Sequence, residues 1–180
     1  MLLYVGRVAY EKNIPFLFRM TRLLAERHPN LLLLVAGEGP AMSSLHQLTT
    51  SLKIEDNVQF IGYLDRNTVL NDCYKSADVF VFSSKSETQG LVLLEAMAQG
   101  TPVVGIAELG TASILIEGEG ALIAPDNEEI FADKVARLIE NRQERDKLGQ
   151  RAREYVLKEW TAEVQAKRML GFYEQTIKAY

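Results

Sequence analysis

Glu87 and Glu95 stand eight positions apart in the run Ser86-Glu87-Thr88-Gln89-Gly90-Leu91-Val92-Leu93-Leu94-Glu95. A carboxylate has acceptor capacity for two adjacent hydroxyl hydrogens, so such a pair suits a polyol. Arg7 and Lys12 form a second pair. Arg offers a forked set of donors and Lys a point charge, and two such cations suit a diphosphate. Gly90 stands where a helix opens. The free N–H groups of a helix N-terminus attract anions, and a glycine lets an anion come close to the backbone. Each residue also admits a plainer role. Arg7 or Lys12 suits a surface ion pair with Glu11, Glu87 a solvated loop charge or the helix N-cap region, and Glu95 a favourable charge in the helix dipole.

Other signatures fail or stay weak. Gly37-Glu38-Gly39-Pro40 starts like a dinucleotide fingerprint, but Met42 holds the third glycine position, which argues against a nicotinamide dehydrogenase. The plainer reading is a tight turn with Pro40 near the first helical position. Neither Gly-x-x-x-x-Gly-Lys nor Asp-x-Asp occurs. The single cysteine, Cys73, reads as a packed thiol rather than a nucleophile, because neither His28 nor His46 lies in a recognisable catalytic context.

The elements that must position these residues alternate between two periods. Continuous apolar runs at Leu2–Val5, 31–36, 58–61, Val79–Phe82, 103–106 and Ala121–Ile123 read as buried strands. Between them, Ile14–Arg27, 41–52, 68–75 and 91–99 read as helices, the last stopped by Gly100 with Pro102 beyond. Three further helices close the chain over 127–141, 144–158 and 162–180. The helix at 91–99 is apolar all round except for Glu95 and the terminal Gln99, so it is expected to be buried. Strands without polar alternation are covered on both faces, which predicts an α/β doubly wound, Rossmann-like parallel sheet flanked by helices, with extra C-terminal helices. Ligands of such sheets bind beyond the carboxyl ends of the strands, where Arg7, Gly37 and Glu87 fall.

The totals agree with one globular domain. The chain has 180 residues, 47% of them hydrophobic, and a formal net charge of -4. That charge argues against a nucleic-acid partner. A lone cysteine fits a reducing compartment. The sequence shows no signal peptide and no membrane-spanning run, and it begins abruptly in a strand, as a trimmed or half-length chain would.

The long stretch with Glu87-x7-Glu95, continuing through Ala96-Met97-Ala98-x-Gly100-x-Pro102-Val103, resembles the Glu-x7-Glu motif of the family 4 (group 1) retaining glycosyltransferases of the GT-B fold. The likeness extends to Gly6-Arg7 with Glu11-Lys12-Asn13, to Val35-Ala36-Gly37-x-Gly39-Pro40, to Phe60-Ile61-Gly62-Tyr63-Leu64 and to Ala77-Asp78. It covers essentially the whole chain in order. The resemblance implies two Rossmann-like domains facing a cleft, with residues 1–180 as the C-terminal, donor-binding one and the N-terminal acceptor domain absent. It implies that Gly6, Arg7 and Lys12 hold the diphosphate of a nucleotide-sugar donor, that Glu95 binds the ribose hydroxyls, and that Glu87 contacts hydroxyls of the donor sugar. Thr88, Gln89, Gly90 and Leu91 would meet phosphate and sugar, and Gly62, Tyr63 and Leu64 would lie near the base. Arg7, Lys12 and Glu87 form the catalytic set.

Transfer would retain anomeric configuration without a cofactor or metal. The donor is expected to be a UDP-sugar, from the family's usage. The acceptor class stays open among sugar, lipid and metabolite. The chain alone is expected to be inactive, and the whole protein cytoplasmic or peripheral at the inner membrane face. The apolar residues of the last helix, among them Leu170, Tyr173 and Ile177, predict either packing on its own domain or association with another copy. Two other functions compete: a nucleotide-sugar epimerase of the same architecture, and a stand-alone nucleotide-sugar-binding module.

Overall fold

The computed structural model describes residues 1–66 and 69–178. Among these residues, six strands form one parallel sheet: β1 (Leu2–Val5), β2 (Leu33–Ala36), β3 (Val58–Gly62), β4 (Val79–Phe82), β5 (Val103–Gly105) and β6 (Ala121–Ile123). Their order across the sheet is β3-β2-β1-β4-β5-β6. Every residue of β1 and β4 is buried, which is why both read as unbroken apolar runs. Between β1 and β4 the winding reverses, and in open α/β sheets ligands bind beyond the carboxyl ends of the strands at such a point.

Among the described residues, seven helices accompany the sheet: α1 (Ile14–Arg27), α2 (Met42–Leu52), α3 (Val69–Ser76), α4 (Leu91–Ala98), α5 (Glu128–Glu140), α6 (Arg142–Glu159) and α7 (Ala162–Lys178). In the packing, α1 meets α2 and α5, whereas α4 meets α3 and α6, giving two helical layers. An edge-to-face pair between Phe16 and Phe131, with centroids 5.3 Å apart, joins α1 to α5. Such pairs contribute about 0.5–1.5 kcal/mol beyond area burial.

The expected boundaries shift by one or two residues, with three substantive differences. Pro40 lies outside α2, whose N-cap is Ala41, because Met42 N–H closes a turn onto the Gly39 carbonyl at 3.3 Å. Short 3-10 turns at Tyr10–Lys12, Glu55–Asn57 and Leu109–Ser113 carry too few residues to show a period. The expected burial of α4 is corrected: Leu93, Ala96 and Met97 are buried, but Leu91 is 50% exposed and Val92 and Glu95 line a cavity, so one face of the helix stays open. The expected helix start at Thr68 and end at Tyr180 lie outside the described residues.

The chain's end is different in kind. No residue of α7 is buried, and Met169, Leu170, Phe172, Tyr173 and Ile177 are all exposed. The helix is tied to α6 through the Arg168–Glu159 ion pair, but these apolar side chains are not covered by its own domain. Among the described residues, no helix is long and apolar enough to cross a membrane.

Candidate active site

Loops after β1, β2, β3 and β4 converge at the carboxyl edge of the sheet. Two of them are stitched together by the backbone. Val8 N–H donates to the Glu38 carbonyl at 2.9 Å, and Ala41 N–H donates to the Val8 carbonyl at 3.0 Å. Gly39 is required here, because a Cβ at that position would stand 2.2 Å from the Val8 carbonyl oxygen. The plain structural reading of the Gly37–Pro40 turn is thus the right one: it clamps the loop that carries Arg7. Tyr4 adds a second clamp, its buried hydroxyl donating to the Arg7 carbonyl at 3.2 Å. Burial, together with the negative charges of Glu87 and Glu11, pushes the Tyr4 phenol far up, so it remains a donor.

The loops after β1, β2 and β3, with α4 opposite, surround a cavity of about 540 Å³ whose wall includes Gly6, Arg7, Glu38, Tyr63, Leu64, Arg66, Val92 and Glu95. That is the size of a small-molecule site, and it lies at the reversal point of the sheet. Glu95 reaches it from α4 and stays 29% exposed. Its Oε2 accepts from the Tyr74 hydroxyl at 2.9 Å, and its Oε1 lies 2.7 Å from Arg66 Nη2. Arg7 is well exposed on the rim and only 4.0 Å from Glu11, so its guanidinium is not committed to a tight pair.

A second cluster sits outside that cavity wall, at the mouth of α4. Lys12 Nζ donates to Glu87 Oε2 at 3.0 Å, with the two side chains 18% and 21% exposed. Glu87 Oε1 accepts from the backbone N–H groups of Gln89 and Gly90, each at 3.3 Å. Gly90 caps α4 with φ of 64°, a left-handed conformation that glycine adopts at least cost. Burial pushes the Glu87 carboxyl up in pKa, but Lys12 and the two amides outweigh it and hold the group below its ordinary value. Ser83, at the end of β4, donates to the Asn13 carbonyl at 2.9 Å, and Asn13 Nδ2 returns a bond to the Ser83 carbonyl at 3.3 Å. This exchange ties the loop of Lys12 to the loop of Glu87. Thr88 is fixed from its other side, where Gly110 N–H donates to the Glu87 carbonyl at 3.0 Å.

The residues singled out in the sequence therefore fall into two groups. Gly6, Arg7, Tyr63, Leu64 and Glu95 share the cavity, and Lys12, Glu87, Gln89 and Gly90 form the adjoining charged cluster, with Thr88 and Leu91 beside it. Gly62 serves the frame, accepting from Gly37 N–H at 2.7 Å. Lys12 pairs with Glu87, not with Glu11. Arg66, Tyr74, Asn13 and Ser83 were not singled out. The partners of Tyr74 and Asn13 are distant in sequence, so spacing carries no signal for them.

The family model described as Glycosyl transferases group 1 matches residues 1–155. The chain belongs to the group 1 glycosyltransferases. It is 35% identical over 176 residues to an uncharacterised glycosyltransferase of Methanocaldococcus jannaschii, covering 97% of this chain and 44% of that protein. Among solved structures, sucrose-phosphate synthase from Thermosynechococcus elongatus is 30% identical with a TM-score of 0.86, over 99% of this chain and 46% of that one. A variant of S. aureus TarM, crystallised with UDP among its ligands, is 25% identical with a TM-score of 0.85, over 94% of this chain and 34% of that one. The chain thus spans less than half the length of each of these relatives. The family match favours the transferase reading over the epimerase and the dehydrogenase.

Proposed function

We propose that this chain is the donor-binding half of a retaining glycosyltransferase and that it takes a UDP-sugar. One observation carries the reading: a cavity at the sheet's reversal point has a carboxylate, Glu95, in its wall, an exposed guanidinium, Arg7, on its rim, and the Lys12–Glu87 cluster beside it. The nucleoside would occupy the cavity with its ribose diol on Glu95 and its base toward Tyr63 and Leu64. The diphosphate would then reach Arg7, Lys12 and the amides at the start of α4.

Those groups supply what departure of a nucleoside diphosphate demands. Negative charge grows on the leaving oxygen as the glycosidic bond breaks, and preorganised cations and N–H dipoles stabilise it without reorganising. In this reading transfer needs no metal. Glu87, released from Lys12 by the incoming diphosphate, contacts hydroxyls of the donor sugar. The acceptor site belongs to the remainder of a longer protein, acting in the cytoplasm or at the inner membrane face.

The test is thermal stabilisation of the chain by UDP, GDP and ADP, repeated on Glu95→Ala and Arg7→Ala. At one hundred times its dissociation constant, a ligand stabilises the folded state by about 2.7 kcal/mol. Stabilisation by UDP that both variants abolish is the expected result. A UDP response unchanged in both variants overturns the assignment of these loops.

A further inference from the structure

Tyr74 has no part in the chemistry above, yet it touches the residue assigned to the ribose. It lies on α3, fully buried, with its ring 5.8 Å from that of Phe80 between centroids. Its backbone carbonyl accepts from Thr101 Oγ1 at 2.5 Å. The residue is therefore held by its ring and by its main chain, and its hydroxyl is delivered to Glu95 Oε2 at 2.9 Å from a fixed position.

Glu95 needs that support. A glutamate has three rotatable side-chain bonds, and the wall of an open cavity restrains few of them. Arg66 holds the other carboxylate oxygen at 2.7 Å, but it does so from the solvent side, with 59% of its own side chain exposed. Arg66 is thus the yielding partner and Tyr74 the rigid one. One hydrogen bond on Oε2 leaves that oxygen's second lone pair, and all of Oε1 that Arg66 gives up, for a ligand. Burial first, and the adjacent Glu95 charge second, push the phenol pKa well above its ordinary value, so the hydroxyl stays protonated and can only donate to the carboxylate.

We propose that Tyr74 is a positioning residue for nucleoside recognition, fixing the Glu95 carboxylate in the orientation that accepts both hydroxyls of a ribose. The proposal rests on the reading of the cavity as a nucleotide site. Its consequence is specific: Tyr74 sets how well the chain distinguishes a ribonucleotide from one lacking the diol. A tyrosine that merely satisfies its own buried hydroxyl would affect all ligands alike.

The experiment measures dissociation constants of UDP and of 2′,3′-dideoxy-UDP by calorimetry for the wild-type chain, Tyr74→Phe and Glu95→Gln. The ratio of the two constants within one variant cancels any general loss of folded protein. Wild type should prefer UDP by about tenfold or more, the scale of a hydrogen bond to a charged group. Tyr74→Phe should reduce that preference about five- to tenfold while leaving dideoxy-UDP binding unchanged, and Glu95→Gln should do the same. If Tyr74→Phe keeps the wild-type preference, or weakens both ligands equally, the positioning role is overturned and the nucleotide reading stands. If wild type binds UDP no better than the dideoxy ligand, the diol reading of Glu95 falls and the role of Tyr74 falls with it.

Discussion

Lys12 and Glu87 meet at 3.0 Å with about four-fifths of each side chain covered, and under the proposed function an incoming diphosphate would compete for this pair. The carboxylate of Glu87 also accepts from the backbone N–H groups of Gln89 and Gly90, where α4 begins. This arrangement has a pH signature. Desolvation raises the Glu87 pKa, Lys12 and the amides lower it, and the net folded value lies below the ordinary 4.5. A depressed carboxyl pKa means that folding favours the ionised form. The stabilisation is fully present above the unfolded value and is lost as pH falls through the folded one. Wild type is therefore expected to exceed Glu87→Gln in melting temperature at pH 7, with the gap closing below about pH 4.5 as the carboxyl protonates. Melting curves of both proteins from pH 7 to pH 3 check this, and a gap that stays constant across the range contradicts it.

The elements of the site depend on one another through close backbone approach. The turn after β2 and the loop after β1 exchange two backbone hydrogen bonds, and only a glycine at position 39 leaves room for the Val8 carbonyl. Gly39→Ala forces the two loops apart or distorts one of them. Destabilisation of about 1–3 kcal/mol is expected, the range of a strained or overpacked site. The same displacement moves Arg7, so UDP binding should weaken as well. Urea unfolding midpoints and UDP titration of the variant measure the two effects. A variant as stable as wild type shows that the clamp is softer than the contact distance implies. Helix α4 illustrates the same dependence. Its apolar composition predicts burial, but one face stays open, leaving Leu91 half exposed and Val92 in the cavity wall.

At the scale of the molecule, α7 is the element without a home. Its apolar residues Leu170, Tyr173 and Ile177 recur at helical spacing on one face, and all are exposed. They contribute nothing to the core around the sheet, so replacing Leu170 and Ile177 by lysine should change stability by no more than about 0.5 kcal/mol. An uncovered apolar face should also make the chain associate with itself, and the same double variant should remove that tendency. Sedimentation velocity over a range of concentrations reads it out. A wild-type chain that stays monomeric at the highest concentration, or a double variant that unfolds, refutes the corresponding half of the prediction.

The sequence by itself determined the sheet, its covering helices and the candidate residues on the loops between them. β1, α1, β4 and β6 appear at the limits read from their apolar runs, because burial on both faces erases polar alternation and burial on one face leaves a helical stripe. Glu87, Glu95, Arg7 and Lys12 were legible because charges beside apolar strands and helices stand out locally. Tertiary structure alone decided which charge meets which: Lys12 with Glu87 across 75 positions, Tyr74 with Glu95 across 21, Asn13 with Ser83 across 70. It decided the exposure of α4 and α7 too. Hydropathy records that a face is apolar, whereas the packing of neighbouring elements determines whether anything covers it. Periodicity is a property of neighbours along the chain; a binding site is made by neighbours across the sheet's edge, and only the winding of the strands brings those together.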